Sequence, residues 1–337
     1  MKEAMFFRQG KDREVHCFLC NHRCHIKPGR LGICGVRQNR DGILWSLVYG
    51  RLIAEHIDPI EKKPLYHFLP GTRSYSIATM GCNFRCTFCQ NADISQNPRE
   101  SGQIFGSKVD PERVVAEAKQ AGCATISYTY TEPTIFMEYA LDVAQLALAD
   151  GIRNVFVSNG YMSEEALETV APCLHAANVD LKAFTDDFYI KQCGARLEPV
   201  LNTLKRMKQL GIWLEVTTLL IPGLNDGHKE LTELAQFLAG LGRDIPWHLS
   251  RFHPTYRMTD RPVTPLESLH TARDIGLQAG LHYVYLGNVP GDNGENTYCP
   301  QCQTLLMERF GFSTKGRGVH GGRCSQCGTA VAGVEIP

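Results

Sequence analysis

Tyr75-Ser76-Ile77-Ala78-Thr79-Met80-Gly81-Cys82-Asn83-Phe84-Arg85-Cys86-Thr87-Phe88-Cys89 is a short apolar run that ends in a glycine and three cysteines. The run Tyr75–Ala78 has the composition and length of a buried strand, so the cysteines, spaced C-x3-C-x2-C, occupy the loop at its C-terminal end. Downstream, further runs read as strands: Ala124–Thr129, Asn154–Ser158, Val179–Ala183, Trp213–Leu220 and Trp247–Phe252. Amphipathic stretches separate them, at Pro111–Ala121, Ile135–Ala149, Glu164–Ala171, Val200–Leu210 and His228–Leu241. Pro111 after Asp110 reads as a helix start, and Gly122, Gly151 and Gly211 stand where helices should stop. Six strands alternating with helical stretches predict an α/β fold with parallel strands and right-handed crossovers, curled into a partial (β/α)6 TIM-like barrel. In that architecture chemistry gathers at the C-terminal ends of the strands. The expected organisation is an N-terminal Cys-rich extension over 1–68, the barrel over 69–292, and a zinc-ribbon-like or rubredoxin-like C-terminal element over 293–337.

Lys+Arg and Asp+Glu both total 35. That balance gives no long-range field for nucleic acid or an anionic membrane. No run reaches the ~18 apolar residues of a membrane helix, and Met1–Gly10 lacks the apolar region of an export signal, so the expected location is the cytoplasm. Eleven of the 14 cysteines fall into three groups, Cys17/Cys20/Cys24/Cys34, Cys82/Cys86/Cys89 and Cys299/Cys302/Cys324/Cys327. In a reducing compartment such groups are metal ligands rather than disulfides.

A [4Fe–4S] cluster closed by protein takes four thiolates; a loop that offers three leaves one iron open. Zinc sites normally come as paired CxxC units with four ligands, which the central loop lacks. C-x3-C-x2-C with an aromatic, Phe88, before the last cysteine resembles the signature loop of the radical S-adenosylmethionine (SAM) superfamily. That resemblance implies that the open iron binds SAM and that an electron from the cluster cleaves it to methionine and a 5′-deoxyadenosyl radical.

The resemblance also implies roles at the other strand ends. Tyr128-Thr129-Tyr130-Thr131-Glu132-Pro133 lies where the superfamily has a GGEP motif, with Tyr130-Thr131 in place of the glycines; Glu132 and its backbone would receive the SAM ammonium. Val157-Ser158-Asn159-Gly160 and Asp180-Leu181-Lys182 resemble segments of the glycyl-radical-enzyme activases. By that likeness Asn159 falls in the cofactor site, Lys182 meets the SAM carboxylate, and Asp180 helps bind a monovalent cation, although Val157 replaces the activases' aspartate. His253 resembles an activase histidine near the nucleoside. Glu215, Thr217 and Thr218 on the fifth expected strand are candidates to line a substrate cavity, and Cys193, in the loop after the fourth, is a candidate substrate contact; Cys123 and Cys173 read as packed small residues.

The C-terminal pairs Cys299-x2-Cys302 and Cys324-x2-Cys327, 21 residues apart, suit one tetrahedral ion, zinc in preference to iron. The N-terminal group, C-x2-C-x3-C-x9-C with His16, His22 and His25 interleaved, is compatible with zinc, an auxiliary Fe–S cluster, or no metal. Together, Gly-Ile-Cys-Gly-Val-Arg (32–37), Asp-Leu-Lys-Ala-Phe (180–184), Ile-Pro-Gly-Leu-Asn-Asp (221–226) and Asn-Thr-Tyr-Cys-Pro (296–300) resemble the radical SAM enzyme of the AmmeMemoRadiSam system, which is pyruvate-formate-lyase-activating-enzyme-like. The resemblance implies Memo-type and AMMECR-type partners and an electron donor such as flavodoxin or ferredoxin. Three functions follow as expectations: a radical SAM enzyme on a small molecule or lipid-like metabolite, an activase that takes hydrogen from a partner's glycine, or an inactive barrel carrying a zinc-ribbon binding module.

Overall fold

In the computed structural model, which describes residues 1–337, eight strands form the main sheet. They are β1 (Ala54–Pro59), β2 (Arg73–Ala78), β3 (Thr125–Tyr128), β4 (Arg153–Ser158), β5 (Ala176–Asp180), β6 (Trp213–Leu220), β7 (Trp247–Arg251) and β8 (Val284–Gly287). From β2 to β8 each strand pairs parallel with the next, and β1 pairs antiparallel with β2. Spatial order therefore follows chain order, with β1 and β8 at the edges. Six helices lie on the crossovers: α1 (Pro111–Gln120), α2 (Met137–Ala149), α3 (Glu164–Val170), α4 (Leu197–Gln209), α5 (His228–Leu241) and α6 (Leu266–Gln278). The strands from β2 to β5 are buried almost throughout, as parallel strands covered on both faces must be.

The expected six strands are a correction: β8 makes a seventh parallel strand, and β1 adds an antiparallel edge. β1 comes from the segment assigned to the N-terminal extension, so the chain ahead of residue 69 is continuous with the sheet. The observed β5 also begins three residues before the expected Val179. Gly122, Gly151 and Gly211 do end helices in the left-handed region, with φ of 62°, 74° and 75°. Asp110 holds the N-cap position of α1 in extended backbone, without a side-chain cap bond, whereas Ser163 caps α3 by accepting from Ala166 N–H.

Between β1 and β2 the chain runs across the N-terminal ends of the strands. Its apolar side chains Ile60, Leu65, Phe68 and Leu69 pack on Val155 and Ala176. Glu215, wholly buried, accepts the backbone N–H groups of Tyr66 (2.9 Å) and His67 (2.8 Å) and Trp213 Nε1 (3.1 Å), and it pairs with His248 Nε2 at 2.7 Å. Thr218 Oγ1 donates to Leu181 O, and Thr217 Oγ1 to Asn178 Oδ1. Of these candidate cavity residues on β6, Glu215 fastens the segment that crosses the N-terminal ends of the strands, and Thr217 and Thr218 tie β6 to β5; a buried carboxylate needs such a full set of donors.

The first 46 residues build two small sheets, one of Lys2–Glu3, Arg37–Arg40 and Ile43–Ser46, the other of Phe7–Gln9, Val15–Cys17 and His25–Ile26. Arg37 anchors them by a buried 2.8 Å ion pair with Glu138 of α2. The C-terminal element is also β-rich, from Thr297–Tyr298 and Leu305–Phe310 to Arg323–Cys324. No helix is long and apolar enough to cross a membrane.

Candidate functional site

The loop after β2 is held from both sides. Arg85 N–H donates to Cys193 O (2.9 Å), Thr87 N–H to Gln192 O (3.0 Å), and Arg257 N–H to Thr87 O (3.0 Å), which ties the loop to the segments after β5 and β7. Gly81 has φ 101°, and a Cβ there would stand 2.6 Å from Val36 Cγ1; only glycine admits both. Phe84 and Phe88 are buried beneath the loop, and Phe88 packs on Phe188 with 5.8 Å between ring centroids.

Each thiol of the loop has a polar neighbour or a second sulfur. Phe84 N–H donates to Cys82 Sγ (3.3 Å), Ser95 Oγ lies 3.2 Å from Cys89 Sγ, and Asn159 Nδ2 is 3.8 Å from Cys82 Sγ. Burial pushes Cys82 and Cys89 up, while Cys86 is pushed up first by the adjoining thiol of Cys193 and then by burial. Desolvated thiols give up their protons readily only to a bound metal centre. Three such thiols on one loop at a strand's C-terminal end, with sulfur-directed donors in place, fit a [4Fe–4S] cluster with one iron left open.

The other expected site residues come to the same end of the sheet with different occupations. Asn159 is buried and bridges to the loop, its Nδ2 donating to Asn83 Oδ1 at 2.7 Å. Lys182 Nζ pairs with Asp180 at 3.0 Å and lies 5.8 Å from the Phe88 ring centroid. Burial disfavours its charge, yet Asp180 and the thiols of Cys86 and Cys193 hold it well above its ordinary value. Glu132 is already saturated: its oxygens accept from Thr134 N–H (3.0 Å), Thr134 Oγ1 (2.5 Å), Ser158 Oγ (2.8 Å) and Asn159 N–H (2.8 Å). His253 is exposed beyond β7. Cys193 is fully buried beside Cys86, packed at the edge of the loop rather than open to a cavity.

Sequence reasoning missed several neighbours. His22, from the N-terminal hairpin, lies 2.8 Å from Asn83 O through Nε2. Asn91 Nδ2 donates to Tyr130 O (2.7 Å), and Tyr130 OH bonds to Asp58. Tyr130 has φ 63°, so the backbone keeps a glycine-like conformation where tyrosine replaces a glycine of the motif. That replacement was the available signal: its ring reaches the buried Asp58–Lys63 pair, with Lys63 Nζ 4.5 Å from the ring centroid.

A second site lies at the other end. Cys299, Cys302, Cys324 and Cys327 bring all four sulfurs within 4.8 Å of one another, with Cys299–Cys327 and Cys302–Cys324 each at 3.6 Å. Four thiolates around one ion at a metal–sulfur distance of about 2.3 Å define a tetrahedron with an edge of about 3.8 Å. The set can hold a metal ion. Thr304 Oγ1, 3.2 Å away, helps lower Cys302 to about 6.

The family model described as the radical SAM superfamily matches residues 76–237. An uncharacterized protein of Methanocaldococcus jannaschii is 46% identical over 334 residues, 98% of this chain and 99% of its own. The pyruvate formate-lyase-activating enzyme of Staphylococcus epidermidis is 21% identical over 237 residues, 66% of this chain and 92% of that protein. A radical SAM methyltransferase from Sphaerobacter thermophilus shares the fold, with a TM-score of 0.52 at 18% identity, over 65% of this chain and 67% of that one. With its three-cysteine loop at the head of β2, the chain belongs to the radical SAM superfamily.

Proposed function

We propose that the protein cleaves SAM reductively and uses the resulting radical to take a hydrogen atom from a substrate. The observation that carries this reading is the loop of Cys82, Cys86 and Cys89, three desolvated thiols at the C-terminal end of a parallel strand, with Phe84 N–H on Cys82, Ser95 Oγ on Cys89 and the Cys193 thiol beside Cys86. A [4Fe–4S] cluster held by Cys82, Cys86 and Cys89 would leave one iron open to SAM and would supply the single electron for its cleavage. Phe84 N–H and Ser95 Oγ stabilise the thiolates, since donors to sulfur favour its charged form. Lys182, fixed by Asp180, presents a cation beside Cys86 for the methionine carboxylate. Glu132, with its oxygens spent on Thr134, Ser158 and Asn159, fixes the ends of β3 and β4 and so places Asn159 against the loop. His253, exposed beyond the end of β7, would meet the nucleoside.

The C-terminal set takes zinc, the electron donor is a flavodoxin or ferredoxin, and the protein works in the cytoplasm with Memo-type and AMMECR-type partners. A second reading, an activase that acts on a partner's glycine, is favoured by the likeness to pyruvate formate-lyase-activating enzymes. After anaerobic reconstitution and reduction with SAM present, the wild type should release 5′-deoxyadenosine and methionine, and Cys86→Ala should release neither. Equal turnover by the variant would sink the proposal. A glycyl radical signal appearing on an added partner protein would select the activase reading.

A further inference from the structure

Cys17, Cys20, Cys24 and Cys34 take no part in the site above. Val15–Cys17 and His25–Ile26 form an antiparallel hairpin with Val15 opposite Ile26, and Cys17 N–H donates to Cys24 O at 2.9 Å. Arg23 N–H closes the intervening turn on Cys20 O (3.0 Å), and Gly35 N–H closes a second turn on Gly32 O (2.9 Å), which carries Cys34 toward the hairpin. A Cβ on Gly32 would lie 3.9 Å from Cys24 Sγ. Cys17 and Cys34 are buried, and Cys20 and Cys24 are half-buried.

The group is gathered, yet wider than one ion requires. The compact arrangement with every sulfur within 4.8 Å occurs at the C-terminal set and not at this one. Zinc draws four sulfurs onto the short edges of a tetrahedron. A cubane gives each thiolate its own iron and so holds the sulfurs farther apart.

Arg37 provides an independent observation. It is 1% exposed; Nη2 donates to Met5 O and Glu138 Oε1, while Nε and Nη1 are buried without a partner. Arg37 O accepts Gly32 N–H at 2.9 Å, so this residue closes back on the turn that carries Cys34. Charged donors left unpaired in an interior are strongly unfavourable; Glu138 Oε2 is the one buried atom of this ion pair likewise without a partner, so two donors face a single free acceptor and call for another. An anionic cluster, with bridging sulfides as well as thiolates, supplies it. The module also abuts the loop of Cys82: a Cβ on Gly81 would be 3.1 Å from Cys34 O, and His22 Nε2 lies 2.8 Å from Asn83 O.

We propose that Cys17, Cys20, Cys24 and Cys34 hold a second [4Fe–4S] cluster, closed by four thiolates, which relays single electrons to the cluster at Cys82, Cys86 and Cys89. The relay rests on the function proposed above; the cluster itself does not. Closure leaves no iron open to SAM or substrate and restricts this centre to electron transfer. In each cycle a low-potential protein donor is oxidised by one electron, the second cluster is reduced and reoxidised, and the SAM-binding cluster gains that electron.

The test uses the full chain with Cys82, Cys86 and Cys89 all replaced by alanine, reconstituted anaerobically. It should retain about four irons and about four sulfides per chain, show an electron paramagnetic resonance signal after dithionite reduction, and leave that signal unchanged on adding SAM. A variant chain without iron, whether it carries one zinc or two, would overturn the proposal. The signal should broaden in fully reduced wild type through interaction with the neighbouring cluster; an unaltered signal there would remove the relay. Because the triple variant lacks the SAM-cleaving loop, its iron content reads the second cluster separately from SAM cleavage in the wild type.

Discussion

Two four-cysteine modules flank the sheet and close on its opposite ends. The N-terminal one meets the C-terminal ends of the strands, where Cys34 and Val36 crowd Gly81 and His22 reaches Asn83 O. The C-terminal one covers the N-terminal ends. There Arg309 Nη2 donates to Tyr66 O (3.0 Å) with its guanidinium 4.2 Å from the Tyr66 ring centroid, and Val334 N–H donates to His67 O (2.8 Å). Both modules offer four thiols, but one set is compact around a point and the other is spread beside a buried guanidinium. Ligand count alone does not distinguish a staple from a redox centre; sulfur spacing and the end of the sheet it serves do.

The largest effect that could break this contrast is removal of the compact site. Small metal-held elements derive folding free energy from the bound ion, and this one covers the buried anchor of Tyr66, His67 and Glu215. Cys324→Ser should release one metal equivalent and destabilise the fold by roughly 5 kcal/mol or more, read as a lower Tm and new protease cleavage across 297–328. Iron bound at the loop of Cys82 should be retained in the folded fraction at low temperature. Parallel loss of that iron would mean that the two ends of the sheet are not independent.

A smaller effect concerns the joint itself. His67 is fully buried, with Nδ1 2.6 Å from Ala332 O and Nε2 2.5 Å from Tyr285 OH. Burial lowers it from 6.5 to about 4. Below pH 6.5 the unfolded chain takes up a proton that the folded chain refuses, so the contribution is whole above 6.5 and is lost as pH falls toward about 4. The full span is worth on the order of 3 kcal/mol. His67→Gln should be less stable than wild type at pH 7.5, with the gap narrowing steadily in denaturant titrations taken down to pH 5. A constant gap would show that protonation of His67 is not what loosens the C-terminal module in acid.

The parallel strands were legible because β-branched and apolar runs recur between amphipathic segments, as in β4 and β6. β1 was not, since Ala-Glu-His-Ile-Asp-Pro carries the charges and the proline of an edge strand,. β8, Val-Tyr-Leu-Gly, was not either: it is four residues long, as β3 is, but it ends in a glycine and no helical stretch was legible ahead of it to mark a further unit. At the site, the triad announced itself by spacing alone. The occupations of Glu132 and Glu215 did not, because a buried carboxylate in a list of residues looks the same whether its partners are backbone N–H groups or a ligand. The spread of the N-terminal sulfurs was equally hidden: C-x2-C-x3-C-x9-C specifies ligands, and only the hairpin and the turn at Gly32 specify how far apart they stand.

The smallest effect sharpens the reading of the compact site from within. Its two knuckles are built alike: Gln303 N–H donates to Cys299 O and Gly328 N–H to Cys324 O, both at 2.9 Å. The residue after each second cysteine is left-handed, Gly328 at φ 74° and Gln303 at φ 60°. An L-residue pays about 1–2 kcal/mol for that conformation, whereas glycine adopts it freely but loses more chain entropy on folding, roughly 0.5–1 kcal/mol. Gln303→Gly should therefore stabilise the metal-bound protein by about 1 kcal/mol or less, without changing metal content. The reciprocal Gly328→Gln should destabilise by a similar amount, since a Cβ there meets nothing within 4 Å and only the backbone preference is at stake. If paired melts gave both variants the same sign, the pseudo-symmetry of the knuckles would not be what shapes this centre.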